Sequence, residues 1–95
     1  MKWNFDQEKN VAALITKQVI IEGFPILQVI HYSDDHSWAF MCGTTSEPSD
    51  TMIVSMEQAV AVDSSLHALA SLPPGCIASR NLPTDDWLCE RVDGI

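Results

Sequence analysis

The sequence is poor in positive charge. Only five of its 95 residues are lysine or arginine, against thirteen aspartates and glutamates, so the formal net charge at pH 7 is −8. Proteins that bind nucleic acid or anionic membranes use a basic surface to neutralise phosphates, and this chain has too few cations to build one. We therefore expect neither nucleic acid nor a membrane as a partner. A protein partner would be basic, because complementary charge accelerates encounter.

Cysteines are also few, and they are badly placed for cross-linking. The three thiols of Cys42, Cys76 and Cys89 are an odd number without CxxC spacing, which excludes a disulfide framework and indicates a reducing compartment. The first ten residues lack the apolar run of a secretory signal, and no window approaches the roughly 20 apolar residues of a membrane span. We expect a cytoplasmic protein.

Motifs that carry common enzymatic chemistry are missing. The chain has no GxSxG, no glycine-rich phosphate loop, no HExxH and no pair of carboxylates at a defined spacing. We therefore predict no cofactor, and we keep a metal-dependent or thiol-dependent enzyme only as the alternative class. Within a hairpin, Cys42 and His31 would lie about 13 Å apart along the strands, which excludes a catalytic dyad there.

The most informative stretch predicts an antiparallel hairpin. Two runs rich in β-branched and aromatic residues, Ile26–Tyr32 and Ser37–Cys42, flank the polar cluster Ser33–His36. A two-residue turn and a four-residue loop give the same register, and the composition favours the longer loop because the glycine of a tight turn is missing. The register then places six side chains on one core-facing surface, in three pairs: Leu27 with Cys42, Val29 with Phe40, and His31 with Trp38.

The segment before the hairpin fits either a helix over residues 11–21 or a strand with a short turn. We favour a strand over Val11–Thr16 and a helical turn ending at Gly23, since β-branched residues are frequent there. Further along, Ser55 and Gln58 form a capping box, and Asp63 is a second helix cap.

These elements predict a single α+β domain over residues 1–95. We expect a small, mostly antiparallel sheet of four to five strands centred on the hairpin, with a helical layer over Met56–Ser71 on one face. That layer is broken at Asp63 and ended by Pro73–Gly75. Cys76–Arg80 is a further strand, and Trp87–Val92 fits a short strand at the sheet edge.

The order of sequence landmarks resembles a known family. The pattern PILxVxH occurs at Pro25–His31, WxFxxG at Trp38–Gly43 and LPPG at Leu72–Gly75, followed by a strand that ends in Arg80. It resembles a family of small uncharacterised bacterial proteins, which implies no established function. More distantly, the size, acidity and aromatic hairpin are similar to those of immunity-type domains, and that similarity implies neutralisation of a toxin.

One cluster at the hairpin tip suggests metal binding. His31, Asp34, Asp35 and His36 lie within six residues, and imidazole and carboxylate groups are the ligands that zinc and manganese sites use. The alternative is a solvated turn, because aspartate is a common turn former, with His31 stacked on Trp38 in the core.

The preferred function is a small acidic protein-binding module, including an immunity-type role against a basic partner; self-association is the other form of binding. Its contact candidates are the acidic surface and the polar loop Thr44–Thr51. The individual binding residues that we predict are those of the hairpin tip and two tryptophans near the termini, which suit interfaces: Asp34, Asp35, His36, Trp3 and Trp87.

Overall fold

A six-stranded mixed sheet forms the centre of the protein, for which a computed structural model describes residues 3–44 and 47–95. The strands are β1 (Ala12–Thr16), β2 (Gln28–His31), β3 (Trp38–Met41), β4 (Thr51–Ser55), β5 (Cys76–Ser79) and β6 (Leu88–Arg91). Their order across the sheet is β4-β1-β3-β2-β5-β6, and every neighbouring pair is antiparallel except β1 and β3.

The α+β class predicted from the sequence is confirmed, whereas the sheet is larger than the four to five strands expected. The sequence predicts β1 as a strand but not its place in the sheet: it lies between β3 and β4 and forms a parallel pair with β3. Hydrophobic periodicity identifies a strand but does not identify its neighbours when they are distant in sequence. The edge strand β6 completes the count of six.

The hairpin of β2 and β3 has the predicted register. Val29 pairs with Phe40 and His31 with Trp38. The Tyr32 N–H donates to the carbonyl of Ser37 at 2.9 Å, which leaves a four-residue loop. His36 closes that loop in a left-handed conformation, with φ of 59°. This conformation is uncommon for a residue with a side chain, and it replaces the glycine that a tight turn would need.

The helices are short and begin where the sequence indicates. β1 continues directly into α1 (Lys17–Glu22), which ends at Gly23 with φ of 73°, so the strand-then-helix alternative is confirmed for residues 11–21. Ser55 and Gln58 form both hydrogen bonds of the capping box at the start of α2 (Met56–Ala61). A 3₁₀ helix over Ser64–Leu69 follows the Asp63 cap. None of the helices in the described part of the chain has the length and hydrophobicity needed to cross a membrane.

The hydrophobic core lies on one face of the sheet. Ile15 pairs with Phe40, Phe40 with Val29 and Val29 with Ala78, so these buried side chains form a continuous row across four strands. α1, α2 and the 3₁₀ helix over Ser64–Leu69 contribute buried side chains to the same cluster, and these are Val19, Met56, Ala59, Val60, Leu66 and Leu69. A further 3₁₀ helix of three residues, Pro48–Asp50, precedes β4. Within the described residues, the three longer helices therefore cover this face of the sheet and leave the opposite face uncovered.

The capping box yields a stability prediction. Replacing Ser55 by alanine removes the oxygen that accepts the Gln58 N–H at 3.1 Å. We expect the free energy of unfolding, measured by urea denaturation, to fall by about 1 kcal/mol. The control is Ser71→Ala, at an exposed serine, which should change it by less than about 0.5 kcal/mol. Equal effects of the two substitutions would contradict the prediction.

Candidate functional site

The hairpin tip does not gather the four residues predicted as metal ligands. Asp34 accepts the N–H of Asp35, and Asp35 accepts the N–H of Ser37, so both carboxylates are used in the turn. Hydrogen bonds from the side chain and backbone of Ser37 hold the pKa of Asp35 below its usual range. His36 is exposed, while His31 is buried in the core. Within residues 3–44 and 47–95, no three His, Cys, Asp or Glu side chains converge on a point that could hold a metal ion.

His31 instead belongs to a buried cluster formed with the N-terminal segment. Its ring stacks on Trp38 with 3.9 Å between ring centroids. The Asp6 carboxylate bridges the two rings: one oxygen lies 3.0 Å from His31 Nε2, and the other accepts the Trp38 Nε1 proton at 2.8 Å. The remaining nitrogen, His31 Nδ1, lies 2.7 Å from the carbonyl of Leu72. This cluster ties residues 3–7 to the hairpin and to the end of the helical layer.

The hydrogen bonds of His31 decide what the ring can do chemically. Both ring nitrogens lie within hydrogen-bond distance of an oxygen, Nδ1 of the Leu72 carbonyl and Nε2 of the Asp6 carboxylate. A general base needs a free nitrogen within reach of its substrate, and neither nitrogen of this buried ring is free. The cluster therefore acts as a structural link between Asp6, Trp38 and Leu72.

A second buried cluster is built around Arg80. Its five N–H protons are all used: Nε and Nη2 donate to the carbonyl of Ile26, Nη1 donates to Ser65 and to the carbonyl of Pro83, and Nη2 also donates to Asp63 at 2.7 Å. A guanidinium with every donor satisfied has no capacity left for a ligand. Arg80 therefore fastens β5 to the start of the 3₁₀ helix.

Asp63 is the charged partner in this cluster and also caps the 3₁₀ helix through the N–H of Ser65. Burial acts to raise the pKa of Asp63, but the hydrogen bonds from Arg80 and Ser65 and the Arg80 charge outweigh it. The pKa of Asp63 therefore lies below its usual range. Folding is accordingly favoured where Asp63 is ionised.

The predicted interface tryptophans also contribute to packing. Trp3 is half-buried, packs against Phe5 and His67, and donates its indole N–H to the carbonyl of Gln7. Trp87 lies under the Arg80 guanidinium, 4.0 Å from its ring centroid. Both rings cover the helical side of the core. A binding role for Trp3, Trp87 and the hairpin tip stays a prediction.

Cys42 is not paired with His31 as a catalytic nucleophile. Cys42 is buried, and its sulfur lies 3.0 Å from the Thr44 hydroxyl. Burial acts to raise the pKa of Cys42, but hydrogen bonds from Thr44 and Thr16 outweigh it, so the pKa is lowered. His31 cannot serve as its base because both ring nitrogens are already engaged.

The uncovered face of the sheet carries a continuous line of apolar side chains, which we term the apolar row. Strand pairing places one member on each of five adjacent strands, and the members in order are Ile53, Leu14, Ala39, Ile30 and Ile77. None of them belongs to the core cluster, and Ile53 is 69% exposed. A line of this kind crosses almost the whole width of the sheet.

Two hollows flank the apolar row, and each contains carboxylates. A hollow of about 370 Å³ is lined by Leu14, Ile53 and the tip residue Asp35. On the other side, a hollow of about 160 Å³ is lined by Ile30 and Asp50. Asp50 contacts Lys17 with 3.8 Å between the charged atoms, so one cation offsets part of this charge.

The carboxylates around the row form what we term the acidic rim. Glu90 on β6 pairs with Ile77 and so continues the row beyond its last apolar member. Glu47 lies beside Asp50 in the smaller hollow and belongs to the loop Thr44–Thr51, of which residues 45 and 46 lie outside the described residues. The rim consists of Asp35, Glu47, Asp50 and Glu90.

Our sequence reasoning missed the apolar row, although a signal for it exists. A half-covered strand alternates apolar and polar residues, whereas β1 reads Ala-Ala-Leu-Ile-Thr and β2 reads Gln-Val-Ile-His. Both strands have an apolar residue facing away from the core, at Leu14 and Ile30. Such runs are typical of strands with both faces covered.

The Asp6 cluster yields a prediction about stability. In Asp6→Ala, the Trp38 N–H and His31 lose their acceptor, and we expect the free energy of unfolding to fall by about 2 kcal/mol. Asp6→Asn keeps an amide oxygen that can accept from Trp38 and a polar amide group beside His31, so its cost should be below about 1 kcal/mol. Urea denaturation measures both variants, and an equal cost for both would contradict the bridging role.

The Asp63–Arg80 pair yields a prediction about pH. Asp63→Asn keeps a capping side chain but removes the charge, which should cost about 2 kcal/mol at pH 7. Because the pKa of Asp63 is lowered by folding, this stabilisation is present above the unfolded value near pH 4 and is lost as pH falls through the folded value.

Urea denaturation from pH 7 to pH 2.5 measures the free energy of unfolding of the wild type and of Asp63→Asn. The difference between the two should narrow only in acid. The control is Asp86→Asn, at an exposed carboxylate in the neighbouring loop, which should leave the wild-type curve unchanged. A gap that persists at the lowest pH would contradict the prediction.

Comparison of the chain with protein-family models, curated proteins and solved structures gives no match. The resemblance to the small bacterial family stays a prediction.

Proposed function

We propose that this protein is a small acidic binding module that holds a basic protein partner on the uncovered face of its sheet. The observation that carries the proposal is the apolar row with its acidic rim. Apolar side chains that reach the surface in a contiguous patch within a polar border are typical of protein interaction surfaces. In the apolar row, Ile53 is exposed, Leu14, Ile30 and Ile77 are partly exposed, and Ala39 is buried between its neighbours.

The charge of the protein supports a basic partner. Three of its five cations are already paired with carboxylates in the fold: Lys9 with Glu57, Lys17 with Asp50, and Arg80 with Asp63. Carboxylates therefore outnumber the cations that could pair with them, and Asp35 and Glu90 lie beside the apolar row. Complementary potential of this kind favours encounter with a positively charged partner.

Two further features fit this function. All three cysteines are free thiols, in accord with the reducing, cytoplasmic environment inferred from the sequence. Neutralisation of a basic toxin, the role suggested by the resemblance to immunity-type domains, is one form of the proposed binding. The metal-dependent or thiol-dependent enzyme has no specific observation in its favour, because the geometry engages His31 and Cys42 elsewhere.

The proposal predicts that binding depends on the apolar row. Ile53→Ser and Ile21→Ser are a matched pair, since the two isoleucines are 69% and 71% exposed and only Ile53 lies on the uncovered face. Immobilised wild-type protein and both variants are incubated with lysate of the native cells at low salt. We expect the wild type and Ile21→Ser to retain the same basic protein, and Ile53→Ser to bind it about tenfold more weakly.

Affinity is then measured with the purified partner, and circular dichroism verifies that both variants are folded. Raising the salt from about 0.05 to 0.5 M should weaken wild-type binding because it screens the rim charges. A partner held equally well by Ile53→Ser, an acidic partner, or the absence of any partner sensitive to Ile53 would refute the proposed function.

A further inference from the structure

Along β2, β4 and β5, the apolar row is only one side chain wide. On the uncovered face, β4 presents Ile53 between Thr51 and Ser55, and β1 presents Leu14 between Ala12 and Thr16. On β2 and β5, the side chains next to Ile30 and Ile77 on the same face are Gln28 and Ser79. Met41 and Leu88 add apolar surface on one side. The apolar contact area is therefore long across the strands and narrow along them.

This shape argues against a second sheet as the occupant. Sheets that pack face to face bury several successive inward residues of every strand, and here each of the five strands supplies one member of the row. A second copy of the chain would also bring two acidic rims together at a net charge of −8 each. Like charges brought face to face oppose association.

The dimensions fit a single helix instead. Five adjacent strands span four gaps of about 4.8 Å, so the row is about 19 Å long. A helix of about 13 residues has that length and presents a narrow apolar stripe along one side. At the centre of the row, Ala39 lies between the larger Leu14 and Ile30 and is fully buried by its neighbours. The small side chain leaves a depression for a side chain of the partner.

The acidic rim indicates which charge a helix bound to the row should carry. Asp35 lies on one side of the row and Glu90 stands at its β6 end. On the other side lies Asp50, whose charge is partly offset by Lys17. An amphipathic helix seated on the row would place the residues that border its apolar stripe near these carboxylates. Lysine or arginine at those positions would be attracted, whereas glutamate would be repelled.

We infer that the partner binds through one amphipathic α-helix of three to four turns, whose apolar stripe lies along the row and whose flanks are basic. This inference rests on the proposed function and narrows it from a basic protein to a basic helical segment. Recognition of an amphipathic helix by an apolar groove is an established mode of peptide binding.

The test uses three synthetic peptides of 14 residues as probes. The first carries leucine at helical spacing with lysine on the flanks, the second has the same composition in strict alternation, and the third replaces the lysines with glutamates. Isotope-labelled methyl groups of Ile30, Ile53 and Ile77 report binding at the row, and those of Ile20 and Ile21 on α1 serve as controls. We expect saturable shifts of the row methyls with the first peptide, and binding about tenfold weaker with the other two.

A matched pair of charge reversals tests the rim. Glu90→Lys and Glu22→Lys change the net charge equally, at exposed positions in the row line and on α1, respectively. We expect Glu90→Lys to weaken binding of the lysine peptide about threefold more than Glu22→Lys at low salt, and this difference to close at high salt.

The inference is overturned if the alternating peptide binds as well as the helical one, if the row methyls do not respond, or if they change with protein concentration alone. The last outcome would indicate a second copy on the row. If a native basic partner binds in an Ile53-dependent manner but is not displaced by the helical peptide, the inferred helical segment is wrong and the proposed function still stands. If binding of the native partner does not depend on Ile53, the proposed function itself is refuted.

Discussion

The main constraint on this structure is that its helices are enough to cover only one face of its six-stranded sheet. In the described part of the chain, the three helices of six residues all pack on the same face of the six strands, and the remaining 3₁₀ helix, Pro48–Asp50, has only three residues. A sheet with one covered face usually places polar side chains on the other. Here the outward positions include Leu14, Ile30, Ile53 and Ile77, so the chain retains apolar surface that its own elements do not bury. The proposed binding face follows from this constraint.

The helices contribute few residues, and two buried polar clusters help to hold the six-stranded sheet together. Asp6 joins the N-terminal segment to the hairpin through His31 and Trp38, and Arg80 joins β5 to the segment after α2 through Asp63. Each cluster links segments that lie more than fifteen residues apart in sequence. Hydrogen bonds to charged groups are stronger than neutral ones, and partners left unpaired in the interior are costly. The charged and titratable side chains of these clusters therefore join distant segments of the chain.

The sequence predicts the local elements of this protein better than its long-range pairings. The hairpin register, the strand-then-helix reading of residues 11–21 and the capping box at Ser55 follow from nearby residues, and all three are confirmed. The parallel pairing of β1 with β3 and the bridging role of Asp6 depend on contacts across 25 residues or more, for which no short motif exists. The same reason explains the apolar row, whose members become neighbours only once the strand order is known.

Net charge and exposed apolar surface have opposite effects on self-association, and their combination on one face favours a particular kind of partner. The apolar row alone would favour association of identical copies, since burial of such side chains is favourable in any dry contact. The carboxylates of the acidic rim oppose that contact, because two identical faces would bring like charges together. A basic partner of the kind proposed would remove the repulsion and bury the same apolar area, so the surface would disfavour its own copy and favour a cation-bearing segment. Selectivity of this type needs both a repulsive and an attractive element, and Ile53 and Glu90 stand at opposite ends of the line that combines them.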